Sequence, residues 1–107
     1  MENKKIIEEK LADIKVYLQK LLPLLKADAR VIIEDELTLS AVERRFQLIV
    51  DTAIDINTHI IKEADINTPD DYQGTFTVLA ENKILPMEFA LKIAPSVGLR
   101  NLIVHKY

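Results

Sequence analysis

The chain has 107 residues, 49% of them hydrophobic and 29% charged, with a net charge of −3 and no cysteine. This balance fits one folded domain and excludes a disordered chain, a disulfide framework and a thiolate metal site. The apolar runs, such as "LLPLL" and "LIV", fall far short of the roughly 20 residues a membrane span needs. The opening "MENKK" leads into a mixed polar pattern rather than an apolar signal core, so a cytoplasmic location is expected. Bulk charge does not announce a nucleic-acid binder. Its distribution is uneven, because after Glu88 no Asp or Glu occurs, whereas Lys92, Arg100 and Lys106 follow.

In chain order, Ile7, Leu11, Ile14, Leu18, Leu21 and Leu25 recur at alternating spacings of four and three. That is one apolar stripe on an amphipathic helix, expected over about residues 4–22 and stopped or kinked by Pro23. "DARVIIEDEL" reads as a short connecting helix or loop. Ser40 followed three residues later by Glu43 is a capping-box signature, and Val42, Phe46, Ile49, Ala53, Ile56 and Ile60 repeat the four-three spacing. A second long helix is therefore expected over about residues 40–65, antiparallel to the first.

Thr68-Pro69-Asp70-Asp71 combines a cap, a first-turn proline and acids at a positive helix end. It predicts a helix with Tyr72, Phe76, Leu79 and Ala80 on its buried face, stopping at Asn82. Pro86 opens a further helix carrying Phe89, Leu91 and Ile93. Pro95 and Gly98 interrupt it, and "LRNLIVHKY" continues as the last helical piece. The fold class expected is all-α: a compact bundle of four to five helices, two long and antiparallel, with shorter C-terminal helices, forming a single domain over residues 1–107.

Three polar constellations stand out. Arg100, His105 and Tyr107 close the chain. Arg binds phosphate as a fork and His moves protons near neutral pH. On a straight helix Arg100 and His105 lie about 140° apart, so one copy makes an awkward site. Two copies across a two-fold axis combine the Arg of one with the His of the other; the competing reading is an Arg salt bridge and a half-exposed His. Asp51, Asp55, His59 and Glu63, spaced by four, form a polar stripe that can be read as a metal site or as a solvated face; the latter is preferred. Glu43-Arg44-Arg45-x-Gln47 offers two arginines to RNA phosphates or, more simply, an intrahelical ion pair. The chain lacks a glycine-rich phosphate loop, an H-E-x-x-H helix and a G-x-S-x-G elbow.

"GLRNLIVHKY" is similar to the R-x4-H-x-Y motif of HepT-like proteins in the HEPN superfamily. Arg100, His105 and Tyr107 match its Arg, His and Tyr. "AVERRFQLIVDTAIDINTHII" resembles the family's long second helix, and "PDDYQGTFTVLAENKILP" its segment before the motif. The resemblance implies an RNase toxin of a toxin–antitoxin pair that works without a metal or other cofactor at the cleft of a homodimer. It also implies an antitoxin partner, an MNT-domain nucleotidyltransferase, that transfers AMP to Tyr107. In that scheme the RNA 2′-hydroxyl is the nucleophile, His105 moves the proton, Arg100 holds the phosphoryl oxygens, and Asn101 orients His105 or the phosphate. AMP on Tyr107 blocks RNA by occupancy and repulsion. Family members usually continue with another helix after the Tyr. Residues 1–107 are thus expected to lack that last helix and to expose Leu102 and Ile103. The competing function is a non-catalytic HEPN-like module that dimerises or binds a nucleotidyltransferase.

Overall fold

α1 (Glu2–Leu21) and α3 (Glu36–Glu63) are the long elements of an all-α fold, joined by a 3-10 turn (Leu24–Lys26) and α2 (Ala29–Glu34). The computed structural model describes residues 2–107. Three shorter helices follow: α4 (Gln73–Glu81), α5 (Met87–Ile93) and α6 (Ser96–Lys106). The expected pair of long antiparallel helices is present, and α3 runs unbroken through Ile54. No strand occurs among the described residues.

The start of α3 differs from the expectation. Asp35, not Ser40, is its cap: the carboxylate accepts the N–H groups of Leu37 and Thr38 and also the Thr38 hydroxyl at 2.9 Å. These three bonds hold the Asp35 carboxyl below its ordinary range, the Thr38 hydroxyl most strongly. A carboxylate at the positive end of a helix gains from the macrodipole as well, so the helix begins a turn before Ser40. At its other end Asp65 turns left-handed at φ 55, and Ile66 N–H closes back on Ile61 O, a Schellman stop built without glycine. Lys83 (φ 62) ends α4 in the same way, after the expected stop at Asn82.

α3 is the central element because it carries two apolar faces. The four-three stripe read from the sequence (Ile49, Ala53, Ile56) faces Leu11, Ile14 and Leu18 of α1, across an apolar groove of about 460 Å³. The adjacent row of Val50, Ile54, Asn57 and Ile61 is buried against the C-terminal helices. There Val50 and Ile54 join Phe76, Ala80, Ala90, Ala94 and Val97 in the core, each large side chain contributing roughly 1.5–3 kcal/mol by burial. Asn57 enters this apolar row because its amide donates to Thr75 Oγ at 3.1 Å, and the Thr75 hydroxyl in turn donates to Tyr72 O. A buried amide with its partner supplied costs little; without one it costs a few kcal/mol.

Four details of the short helices depart from the reading. α4 starts at Gln73 rather than at Pro69, because the Asp71 side chain accepts the Gly74 N–H at 2.7 Å, three residues on. Tyr72 consequently precedes the helix and is exposed. Gly98 does not interrupt α6, which begins at Ser96 behind Pro95. Ile103 is buried, at 7% exposure, whereas Leu102 is exposed as expected.

Candidate functional site

The geometry of the chain end follows from the three-residue repeat Val97, Arg100, Ile103, Lys106. Each step of three turns back by about 60°, so Val97, Arg100 and Ile103 lie within about 120° on one side of α6, while Lys106 has drifted to about 180° from Val97. Val97 and Ile103 are buried, which turns that side inward toward α3. Arg100, midway between them, is carried inward to an acid of α3, and Lys106, past the edge of that side, reaches another with its long stem. Arg100 Nε donates to Asp51 Oδ1 at 2.5 Å, and Lys106 Nζ reaches Glu43 Oε1 at 3.0 Å. The later partner on α6 takes the earlier one on α3, so the two helices run antiparallel.

Arg100 is half-buried, with a second bond from Nη1 to Asn101 Oδ1 at 2.9 Å. A guanidinium has five N–H donors, so two engaged ones leave three for a ligand. Asn101 thus serves Arg100 rather than His105. The two residues stand at the rims of two neighbouring clefts that share Tyr72. One, of about 400 Å³, is lined by Asp51, Asp55, Thr58 and Arg100. The other, of about 390 Å³, is lined by Asp70, Asp71, Gln73 and Asn101.

His105 is exposed and its side chain makes no hydrogen bond among the described residues. Two residues past Ile103 it has rotated about 200°, to the outward side of α6. The expected separation of Arg100 and His105 on one chain is therefore found.

Tyr107 is not loose. Its phenol donates to Glu43 Oε1 at 2.6 Å and lies 3.3 Å from Ser40 Oγ, while Lys106 Nζ sits 5.4 Å from the centre of its ring. A small cleft of about 290 Å³ beside it is lined by Ser40, Arg44, Gln47 and Tyr107. The Tyr107 hydrogen bond, helped by Lys106 and opposed by partial burial, holds the Glu43 carboxyl below its ordinary range. Glu43 in return raises Lys106.

The remaining polar candidates divide. Asp51 is taken by Arg100, and Asp55 pairs with Lys10 of α1 at 3.4 Å. His59 and Glu63 join neither pair. No group of three or more His, Asp or Glu side chains suited to a metal ion occurs among the described residues. The intrahelical pairing expected of Glu43 with an arginine is replaced by its contacts with the chain end. Sequence reasoning thus missed Glu43 as a site residue and Asp51 as the anchor of Arg100. A signal existed: two acids eight apart on α3 match two cations six apart on α6. The basic stretch after Glu88 is likewise answered, since Lys92 pairs with Glu88, Arg100 with Asp51 and Lys106 with Glu43.

Residues 5–107 match the model of the family described as "Ribonuclease HepT-like". A tRNA nuclease HepT of Aphanizomenon flos-aquae is 45% identical over 65 residues, which is 61% of this chain and 44% of that protein. An mRNA nuclease HepT of Shewanella oneidensis is 33% identical over 57 residues, 53% of this chain and 43% of that protein. The matched stretches span less than half the length of these curated relatives. Among solved structures, a tri-AMPylated Shewanella oneidensis HEPN toxin in complex with MNT antitoxin superposes with a TM-score of 0.86. It is 27% identical, over 95% of this chain and 76% of that one. No helix among the described residues is long and apolar enough to cross a membrane.

Proposed function

This chain belongs to the HepT-like family, and on that premise we propose that it is an RNase toxin that cuts RNA without a metal at the cleft of a homodimer. Arg100 binds the scissile phosphate through the donors that Asp51 and Asn101 leave free. The ribose 2′-hydroxyl attacks phosphorus, His105 moves the proton, and a 2′,3′-cyclic phosphate and a free 5′-hydroxyl result. The observation that carries the reading is the contrast on α6: an arginine fixed at a cleft with donors to spare, and a solvent-facing histidine five residues on. Since one helix holds the two apart, the productive arrangement pairs the Arg100 of one copy with the His105 of the other. An MNT-type nucleotidyltransferase silences the toxin by adding AMP to Tyr107, whose bulky anion then competes with RNA phosphate.

The test incubates purified protein with tRNA and with mRNA in the presence of EDTA. Cleavage is expected to persist, with cyclic-phosphate ends. His105→Ala is expected to lower the rate by roughly 10²–10⁴-fold, the usual worth of a positioned acid–base group, with helical circular dichroism unchanged. Loss of cleavage in EDTA, restored by a divalent ion, overturns the metal-free scheme. His105→Ala cleaving at the wild-type rate makes the chain a non-catalytic module.

A further inference from the structure

We propose that Glu43 is the proton acceptor for Tyr107 when the phenol is adenylylated, so that α3 and not only the partner enzyme prepares the acceptor site. The inference rests on the reading of Tyr107 as the AMP acceptor and adds to it the group that makes the phenol ready.

The Tyr107 phenol makes its hydrogen bonds to another helix. What holds it is α3: Glu43 Oε1 accepts the phenolic hydrogen at 2.6 Å, with the Ser40 hydroxyl at 3.3 Å on the same oxygen. Glu43 is itself fixed. Its side chain is only 15% exposed, and Lys106 Nζ bonds both of its carboxylate oxygens, at 3.0 and 3.2 Å. The reacting oxygen, its proton and a carboxylate therefore form one short line before any nucleotide arrives. Pre-alignment of this kind is where an intramolecular base gains over solvent.

The balance of the step is simple. The phenolic oxygen attacks the α-phosphorus of a nucleoside triphosphate. The O–P bond forms, the bond from the α-phosphorus to the bridging oxygen breaks, and pyrophosphate leaves. The phenolic proton passes to Glu43. A free phenol is far too weak an acid to give its proton to a carboxylate outright, but as the O–P bond forms the oxygen loses its basicity and the transfer becomes downhill. Lys106, whose Nζ sits 5.4 Å from the ring centre, and Arg44, on the cleft beside Tyr107 with Ser40 and Gln47, are the cations at hand for the phosphate that ends up on the ring oxygen.

Once AMP is attached, the oxygen has no hydrogen to donate. The contact that docks the chain end is removed, and a phosphate anion stands beside the Glu43 carboxylate. Modification thus consumes the bond that prepared it.

The experiment measures single-turnover AMP addition by intact-protein mass spectrometry, using an MNT-type nucleotidyltransferase, ATP and Mg²⁺. Wild type, Glu43→Gln and Tyr107→Phe are compared across pH. Gln keeps the length and an acceptor for the phenol but gives up the Lys106 ion pair. Lys106→Met, which gives up the same ion pair and keeps the base, is therefore run beside it and is expected to lose far less rate and to keep the acid limb. Glu43→Gln is expected to be slower by roughly 10²-fold, and the fall in rate that wild type shows toward acid pH is expected to be absent from it. A Glu43→Gln protein labelled as fast as wild type overturns the proposal. So does a slow one that keeps the acid limb, which makes Glu43 a structural contact only. Wild type that gains no AMP, or Tyr107→Phe that gains as much as wild type, overturns the reading of Tyr107 itself and this proposal with it.

Discussion

Arg100 and His105 are five residues apart on one helix, yet α6 treats them in opposite ways. Arg100 lies on the side that Val97 and Ile103 press into the core, and an acid of α3 and its own neighbour fix its guanidinium. His105 lies on the outward side with no partner among the described residues. A phosphate clamp needs fixed geometry, because a displaced fork loses its bidentate fit. A proton carrier needs access to the substrate, and here the access points away from its own arginine. On the proposed reading, the two groups meet only when a second copy brings its own α6.

Destroying the fixed half of the pair is expected to be nearly as damaging as losing His105. Arg100→Ala is expected to lower RNA cleavage by roughly 10²–10³-fold, as loss of a preorganised donor at a developing charge does. Arg100→Lys is expected to recover little, since a point charge does not reproduce the fork. Asp51→Ala leaves the arginine in place but held only by its neighbour Asn101. It is expected to cost less, about 10-fold to 10²-fold in cleavage rate, through misplacement of the fork. Asp51→Ala cleaving like wild type would show that the anchor does not matter and would erase the contrast between the two residues.

A smaller effect concerns the last turn of α6, which carries His105. Its dock on α3 depends on the Glu43 contacts. Glu43 is held below its ordinary range, so the docking it supports is present above the unfolded carboxylate value and is lost as pH falls through the lowered folded value. Lys106 is raised, so its share is present below its unfolded value and is lost only as pH rises through the folded one. The dock is expected to hold across the whole neutral range and to open on the acid side alone, below ordinary glutamate titration. Amide chemical shifts of residues 104–107 followed by NMR check this. A transition near neutral pH, or one that Glu43→Gln leaves unmoved, contradicts the assignment.

Much of this arrangement was legible in the sequence, and the parts that were not share a cause. The stripes of α1 and α3, the stop at Asn82 and the start at Pro86 are local signals, written within a few residues. The cap of α3 was misread because Ser40 and Asp35 are both good caps, and the Asp35–Thr38 bonds decide between them. The second face of α3 was hidden by Asn57, which looks polar until Thr75, 18 residues on, supplies its partner. The contacts that define the site join positions 49 and 63 or more residues apart: Arg100 to Asp51, and Lys106 and Tyr107 to Glu43. Residue types pointed to Arg100, His105 and Tyr107 as the chemistry. Only the packing of α6 on α3 shows which of them is anchored, which is free, and what Tyr107 is bonded to.

The claim that two copies share the work is tested most directly by mixing inactive proteins. Arg100→Ala and His105→Ala are purified separately, combined in equal amounts, dissociated and reassociated, and assayed on RNA. If the site joins the Arg100 of one copy to the His105 of the other, random pairing makes half the dimers mixed, each with one of its two sites intact. The mixture should then regain about a quarter of wild-type activity although neither parent is active. A mixture as inactive as its parents, formed under conditions where mixed dimers are shown to be present, would contradict the shared site.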